Sequence, residues 1–493
     1  MLSLSEEQAA YMDRVPLLDC PDDMLLAAYY NRWRTFSKHI KRTAAGFVIT
    51  EFLPPVSWAG SGNTIACPAG HHFYEGRWIR DSAYLNDYAR FWFGGEGEPR
   101  KYSFWAADSI YAFYKVHGDL KLIADLLPEL VRNYGEWEAD RLDPSGLFWQ
   151  FDDRDGMEYS LGGSGLRPTI NSYMYGDAQA IADMAEALGN REIAAAFRAK
   201  ALRLKRLVLS TLWDERERFF KTRVNAEGLA YTQRLPSEWV NRLDGGLLTE
   251  GELVNACELQ GYLPWYFHLP SDGYEKAWEK LMDPAFFRAP YGLTTAERRH
   301  PQFMMDFKHE CLWNGPVWPF ATSQTLTAMA NLLREYKQTI VTKDDYWLLL
   351  QQYARSHRHT EADGRDVFWI DENLDPFTGE WLARKRLYER NDPNKDRGAD
   401  YNHSTFCDLI ISGLCGIIPQ AAPVCVVDPL LPDNLWDYFR LENVPYRGHL
   451  ITVSFDRTGE KYGEGRGFQL FVDGRCKARS ERLGKLSASL RIE

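Results

Sequence analysis

The chain has 493 residues, of which 45% are hydrophobic and 26% charged; these are proportions of a packed globular protein, and the length suits one large domain with a smaller appendage. A formal net charge of −11 supplies no basic surface for phosphates, so nucleic acid is excluded as a partner class and an anionic membrane surface is disfavoured. No apolar run reaches the roughly 18 residues a membrane span requires, and the opening MLSLSEEQAAYMDRV lacks the basic and apolar stretches of a secretion signal.

In chain order, a helix is expected over about residues 22–40, followed by the strand-like GFVITEFL. From about residue 80 to about residue 418, apolar residues recur every three or four positions. Segments 82–93, 104–116 and 120–137 read as helices, and so do 178–188 and 193–212, which are separated by a Gly-Asn turn. Further helices are expected over 274–281, 316–336, 343–356 and 404–415, with Pro316 in a first helical turn, where its missing N–H costs little. Roughly eleven or twelve helices, paired and joined by long Gly-, Pro-, Trp- and Asp-rich loops, predict a ring of helical hairpins with the loops gathered at one mouth. After Pro419 the pattern changes: HLITVSFDR, GFQLFVDGR and LSASLRIE alternate apolar and polar residues and read as short strands. The expected division is an N-terminal segment 1–69 packing on the ring, a helical catalytic domain 70–424 and a β-module 425–493. The 8 cysteines are scattered without a CxxC pair, which points to reduced thiols in the cytoplasm and gives no metal site.

Aromatics make up 14% of the chain, with 17 Trp. Most of these belong to a large core; the remainder suit the apolar faces of sugar rings. Four loop segments at helix boundaries carry chemistry. In FYEGRWIRDS (73–82), Asp81 either caps a helix or joins Trp78 and Arg80 at a pocket. In WQFDDRDGMEYSLGGS (149–164), Asp152, Asp153, Asp155 and Glu158 crowd a Gly-rich loop. That loop is either solvated, a calcium site, or the seat of a general acid, and Glu158 beside Met157 and Tyr159 suits an acid kept protonated. In HECLWNGPVWP (309–319), Trp313 and Trp318 are either core residues or an aromatic wall with the Asn314 amide facing hydroxyls. In FWIDENLDPFTGE (368–380), Asp371 and Glu372 precede a turn and are either surface charges or the seat of a base that orients water.

These segments, in this order, resemble the six-hairpin glycosidases, the group that includes mannosylglycerate hydrolase, glycoside hydrolase family 63 and the trehalases. Trp78, Asp81 and Ser82 are similar to the group's W-D-S/T segment, and Asp155-Gly-Met-Glu-Tyr-Ser160 to its acid loop. Trp313-Asn-Gly-Pro-Val-Trp318 is similar to W-R-G-P-V-W, Glu372-Asn-Leu-Asp-Pro-Phe-Thr-Gly379 to the base loop, and Asn171 to Asp177 to N-x-Y-x-Y-x-D. The resemblance implies an (α/α)6 toroid, no cofactor, and a glycoside substrate hydrolysed with inversion by Glu158 as acid and Glu372 as base. The substrate-binding set expected around them is Trp78, Arg80, Asp81, Arg167, Asn171, Tyr175, Trp313, Asn314, Trp318, Trp369 and His403. The chain departs from the group at Glu158 (Asp), Tyr159 (Asn), Asn314 (Arg) and Leu374 (Tyr), which leaves the glycone open, rhamnose and arabinose included. A sugar epimerase or lyase working through His309, His403 and Tyr401, or a non-catalytic sugar-binding relative, are the rival readings. The oligomeric state is not readable.

Overall fold

The computed structural model describes residues 14–234 and 249–490. The N-terminal residues that bear on a secretion signal, and the last three of the final expected strand, lie outside that range.

The long helices are α1 (Asp23–His39), α2 (Ala69–Gly76), α3 (Ala83–Phe93), α4 (Ala106–His117), α5 (Leu120–Arg141), α6 (Pro168–Ala187) and α7 (Arg191–Thr211). They are followed by the short α8 (Leu263–Tyr266, continuing a 3-10 turn over Leu259–Tyr262), then α9 (Pro319–Glu335) and α10 (Lys343–Ser356). Local sequence starts them. Asp22 accepts the Leu25 N–H at 2.9 Å, and Thr342 and Asp345 form a reciprocal capping box at α10.

Burial separates the helices into two rings. Helix α6 buries 16 of its 20 residues, all round its circumference, whereas α7 buries only the stripe Ala194, Phe197, Ala201, Leu204 and Val208. A helix buried on every side belongs to an interior, a striped one to a surface. Contacts run α2 to α4, α4 to α6, α6 to α8, α8 to α9, and α9 to a π-helical turn at Leu409–Leu414. The turn closes back on α2, where the Glu75 carboxylate accepts the N–H groups of Phe406 (3.1 Å), Cys407 (3.0 Å) and Asp408 (2.9 Å). Asp177 of α6 likewise accepts Asp108 N–H at 3.0 Å, so buried carboxylates fasten the starts of neighbouring inner helices. The inner helices approach closely: a Cβ on Gly176 would lie 2.2 Å from the Phe267 ring. Outside lie α1, α3, α5, α7, the 3-10 turn Glu275–Lys280 and α10, with α10 packing on both α9 and α1. Six inner and six outer segments make an (α/α)6 toroid.

Four expected helices differ: 178–188 is the end of a helix that begins ten residues earlier, at Pro168. Segment 274–281 is a 3-10 turn, and 404–415 contracts to the π turn. Helix α9 starts at Pro319 rather than Pro316, because Val317 is held in extended pairing with Leu374.

The strands discussed here are β1 (Leu17–Asp19), β2 (Ile40–Thr43), β3 (Gly46–Ile49), β4 (Ile417–Pro419), β5 (Val424–Val427), β6 (Tyr438–Tyr446), β7 (His449–Asp456), β8 (Gly467–Val472), β9 (Arg475–Ser480) and β10 (Leu486–Ser489). They form a five-stranded sheet in the order β1-β6-β7-β8-β9, a three-stranded sheet β4-β5-β10, and the hairpin β2-β3. In the larger sheet Leu18 pairs with Leu441, so residues from both ends of the chain share one layer. No helix among the described residues is long and apolar enough to cross a membrane.

Candidate active site

A cavity of about 230 Å³ sits at one mouth of the ring. Its lining follows from the hairpin topology: most of it precedes inner helices. Cys67 comes just before α2, Tyr102 before α4, Gly156 and Glu158 before α6, Trp313 and Trp318 before α9, and Tyr401 and His403 before the π turn. The inner helices therefore bring their N-terminal ends to this mouth, where N–H groups and helix dipoles favour negative charge. Glu51, Phe52 and Trp58 enter from the segment after β3, and Glu372 and Arg397 from the long loops between α10 and the π turn.

Two of the expected acid–base groups meet here. Glu158 is half-buried. Its carboxyl is held well above the usual glutamate range, first by burial and then by the nearby carboxylates, Glu372 among them. Its backbone carbonyl accepts the Trp313 N–H at 3.0 Å, which ties the acid loop to the aromatic wall. Gly156 at φ 69° and Tyr159 at φ 61° turn the chain on either side of it, and a Cβ on Gly156 would strike Cys67 Sγ at 2.4 Å. Glu372 is 3% exposed. Burial raises its pKa to about 7, against the opposing pull of Arg397. The Cys311 thiol lies 3.0 Å from Glu372 Oε2 and Arg397 Nη2 lies 3.8 Å from Oε1.

The wall is aromatic. Trp313 and Trp318 stack with centroids 4.4 Å apart and planes at 21°, and the Trp318 indole N–H donates to Leu312 O at 2.8 Å. Among the described residues, Trp313 Nε1 and both ring nitrogens of His403 are buried without a hydrogen-bond partner. Burial pulls the His403 pKa well below its usual value, so its ring is neutral. An unmet buried donor or acceptor costs about 1–3 kcal/mol, and Trp313 and His403 both line the cavity.

The remaining residues expected to contact substrate lie outside the cavity lining. Trp78, Arg80 and Asp81 follow α2 instead of preceding it, which puts them at the opposite mouth. Trp78 is fully buried and donates to Asp408 at 2.7 Å, Arg80 is exposed, and Asp81 accepts the Ala83 N–H at 3.0 Å where α3 begins. Arg167 is buried against Asp155, Nε to Oδ2 at 2.6 Å, and pins the acid loop from behind. Asn171 clamps Phe148, accepting from its N–H at 2.8 Å and donating to its carbonyl at 2.7 Å. Tyr175 is buried on α6 outside the cavity lining. Asn314 donates to Gln302 O and Met305 O, both at 2.9 Å, and shapes the Gly315 turn. Trp369 holds Asp371 at 3.0 Å and packs under Arg384. Of the expected acidic loop, Asp155 is taken by Arg167 and Asp152 bonds Ser164 Oγ at 3.1 Å. Among the described residues, no group of three His, Cys, Asp or Glu side chains is placed to hold a metal ion.

Sequence reasoning missed Glu51, Trp58, Tyr102, Cys311 and Arg397. Glu51 is a further buried carboxyl at the cavity. It accepts from the Tyr401 hydroxyl, and burial raises its pKa to about 8. Cys311 lies inside the aromatic-wall segment without a pattern to mark it, whereas Glu51 and Arg397 come from segments with no motif.

The mannosylglycerate hydrolase MGH1-like glycoside hydrolase domain model matches residues 61–404, and the C-terminal domain of glycosyl hydrolase family 65 matches residues 424–476. A solved structure named "Sialidase" is 39% identical with a TM-score of 0.87, over 98% of this chain and 42% of its own. The GH78 family rhamnosidase of Bacillus sp. GL1 is 12% identical with a TM-score of 0.60, over 95% of this chain and 42% of its own. The GH63 mannosylglycerate hydrolase from Thermus thermophilus in complex with glucose is 13% identical with a TM-score of 0.51, over 73% of this chain and 98% of its own. The last two likenesses show the fold alone. The chain spans 42% of the length of each of the first two.

Proposed function

Since the chain belongs to the mannosylglycerate hydrolase MGH1-like glycoside hydrolase family, we propose that it hydrolyses the terminal glycosidic bond of a neutral sugar by single displacement with inversion. The observation that carries this reading is the meeting of Glu158 and Glu372, 214 positions apart (372 − 158), at one Trp-lined cavity with both carboxyls raised. Glu158, protonated at neutral pH, donates to the glycosidic oxygen as the bond breaks. Glu372, as carboxylate, takes a proton from the water that attacks the anomeric carbon from the opposite face. Inversion requires the two carboxyls about 6.5–9.5 Å apart, with that water between them; a covalent intermediate would require about 5–5.5 Å.

Size and charge narrow the substrate. About 230 Å³ lies below the ~300–1,000 Å³ of pockets for drug-sized ligands, which suits one sugar ring with the leaving group outside. The one permanent cation in the lining, among the described residues, is Arg397, and it is already shared by Glu310 and Glu372. An anionic glycone such as a sialoside would meet raised carboxyls and no free cation. All 8 cysteines are unpaired and most are buried, which suits a reducing compartment, and we place the enzyme in the cytoplasm on that ground.

The test is a panel of terminal glycosides followed by proton NMR, which reads the anomer first released. Turnover of a neutral glycoside with the opposite anomer appearing first is expected. First release of the substrate's own anomer overturns the single displacement, and preferential cleavage of sialosides overturns the neutral glycone.

A further inference from the structure

We infer that Cys311 is a positioning residue for the base: its thiol fixes one carboxyl oxygen of Glu372 while Arg397 takes the other. The inference rests on Glu372 being the base.

The geometry is built from both sides. Cys311 Sγ lies 3.0 Å from Glu372 Oε2, and Arg397 Nη2 lies 3.8 Å from Oε1. The segment carrying the thiol is fastened to the segment carrying the base, because the Asn373 side-chain amide, one residue on, donates to Glu310 O at 2.5 Å. A turn in which Cys311 N–H donates to His309 Nδ1 at 3.0 Å sets the thiol's direction. Burial and the carboxyls around it push the Cys311 pKa well up, so the sulfur keeps its proton and acts as the donor.

The electrostatic surroundings make this one hydrogen bond count. Asp371 and Glu310 approach Glu372 on its own wall, and Glu158 and Glu51 sense it across the cavity. Tyr401 faces it as a neutral phenol, and the neutral His403 ring lies against its backbone. Burial, Asp371 and Glu310 oppose ionisation of Glu372; Arg397 and the thiol favour it. A general base must be ionised to take a proton from water, so the thiol stabilises the form that reacts.

The test is the pH profile of kcat/KM for Cys311→Ala, Cys311→Val and Cys311→Ser beside wild type, with thermal melting of each. Ala and Val remove the donor, Val while filling the volume, and Ser keeps a donor. Removal is expected to move the acid limb, the rise in rate as Glu372 loses its proton, up by about half a pH unit or more. KM should hold, and Ser should return the limb toward wild type. A merely packing role would lower the melting temperature and leave the limb where it is. Unmoved limbs in whichever of Ala or Val folds, alongside an inactive Glu372→Gln, overturn the inference. An active Glu372→Gln overturns the reading of Glu372 as base instead, so the two failures are distinguishable.

Discussion

On the proposed reading, two glutamates with the same side chain receive opposite duties from their surroundings. Glu158 sits in a cavity with other carboxyls and, among the described residues, no cation paired to it, which favours its protonated form. Glu372 is the more deeply buried of the two, yet Arg397 and the Cys311 thiol bring its pKa back to about 7. The rate should therefore rise with pH through about 7 as Glu372 ionises and fall where Glu158 loses its proton. The two groups titrate as a coupled pair, so the limbs belong to both. Variants separate the roles. Glu158→Gln should lower kcat by about 10²–10⁴ on a substrate with a poor leaving group and much less on a dinitrophenyl glycoside, which departs without protonation. Glu372→Gln should be as impaired on both, since water still lacks its base. Steady-state kinetics on the two substrates decide; equal losses for Glu158→Gln on both would remove it as acid.

At the scale of elements, the acid loop stands on one buried ion pair. Arg167 reaches Asp155 at 2.6 Å, Ser160 Oγ at 3.0 Å and the Gly163 carbonyl, all from the residue just before α6. Arg167→Met would strand a buried carboxylate, at a cost of roughly 3–5 kcal/mol, and would release the loop that aims Glu158. Chemical denaturation should show that loss, and adding Asp155→Asn should recover part of it. A shift of less than ~1 kcal/mol would mean that Asp155 finds another partner or its proton. At the other mouth, Asp81→Ala should cost no more than about 1 kcal/mol as a helix-start residue and leave kcat unchanged. The contrast explains what the sequence made legible. Acid loop, aromatic wall and base loop were readable because each combines turn residues with chemistry at a helix boundary, and Asp81 has the same local signature. What distinguishes them is which ring the following helix joins. Helix α6 is an inner helix and α3 an outer one, and in a hairpin toroid their starts lie at opposite ends. That parity is a property of the whole chain, invisible in any window of ten residues. Periodicity likewise gave the long helices, but 274–281 and 404–415 became 3-10 and π turns, where tertiary packing overrode the local pattern.

Across the whole molecule, the inner helices polarise the ring. Their N-terminal ends gather the carboxyls of the cavity. At the other end Arg77, Lys115 and Arg334 lie near helix C-termini around a second, smaller cavity, where cations complement the dipoles. Most of that far-end charge is already engaged: Arg77 pairs with Asp408 at 2.7 Å, and Arg334 donates to the carbonyls of Ser412 and Gly413, both at 2.8 Å. At the mouth that holds the larger cavity, Glu310 is paired with Arg390 and Arg397, whereas Glu51 and Glu372 stay raised, and stability carries the consequence. Burial raises the pKa of Glu51 to about 8 and that of Glu372 to about 7, whereas an unfolded glutamate titrates near 4.3. Between those values the folded protein binds more protons than the unfolded chain, so stability falls as pH rises. The contribution of Glu51 is intact below about pH 4 and is lost through about pH 8. Glu51→Gln keeps an acceptor for the Tyr401 hydroxyl but cannot ionise. Its melting temperature should match wild type near pH 5 and exceed it by ~2 °C or more near pH 9, with the gap opening between. Differential scanning calorimetry across that range measures it. A gap independent of pH would assign the effect to packing, and a gap that closes as pH rises would mean that Glu51 is ionised in the folded protein, held by Arg397 in preference to the low-dielectric wall around it.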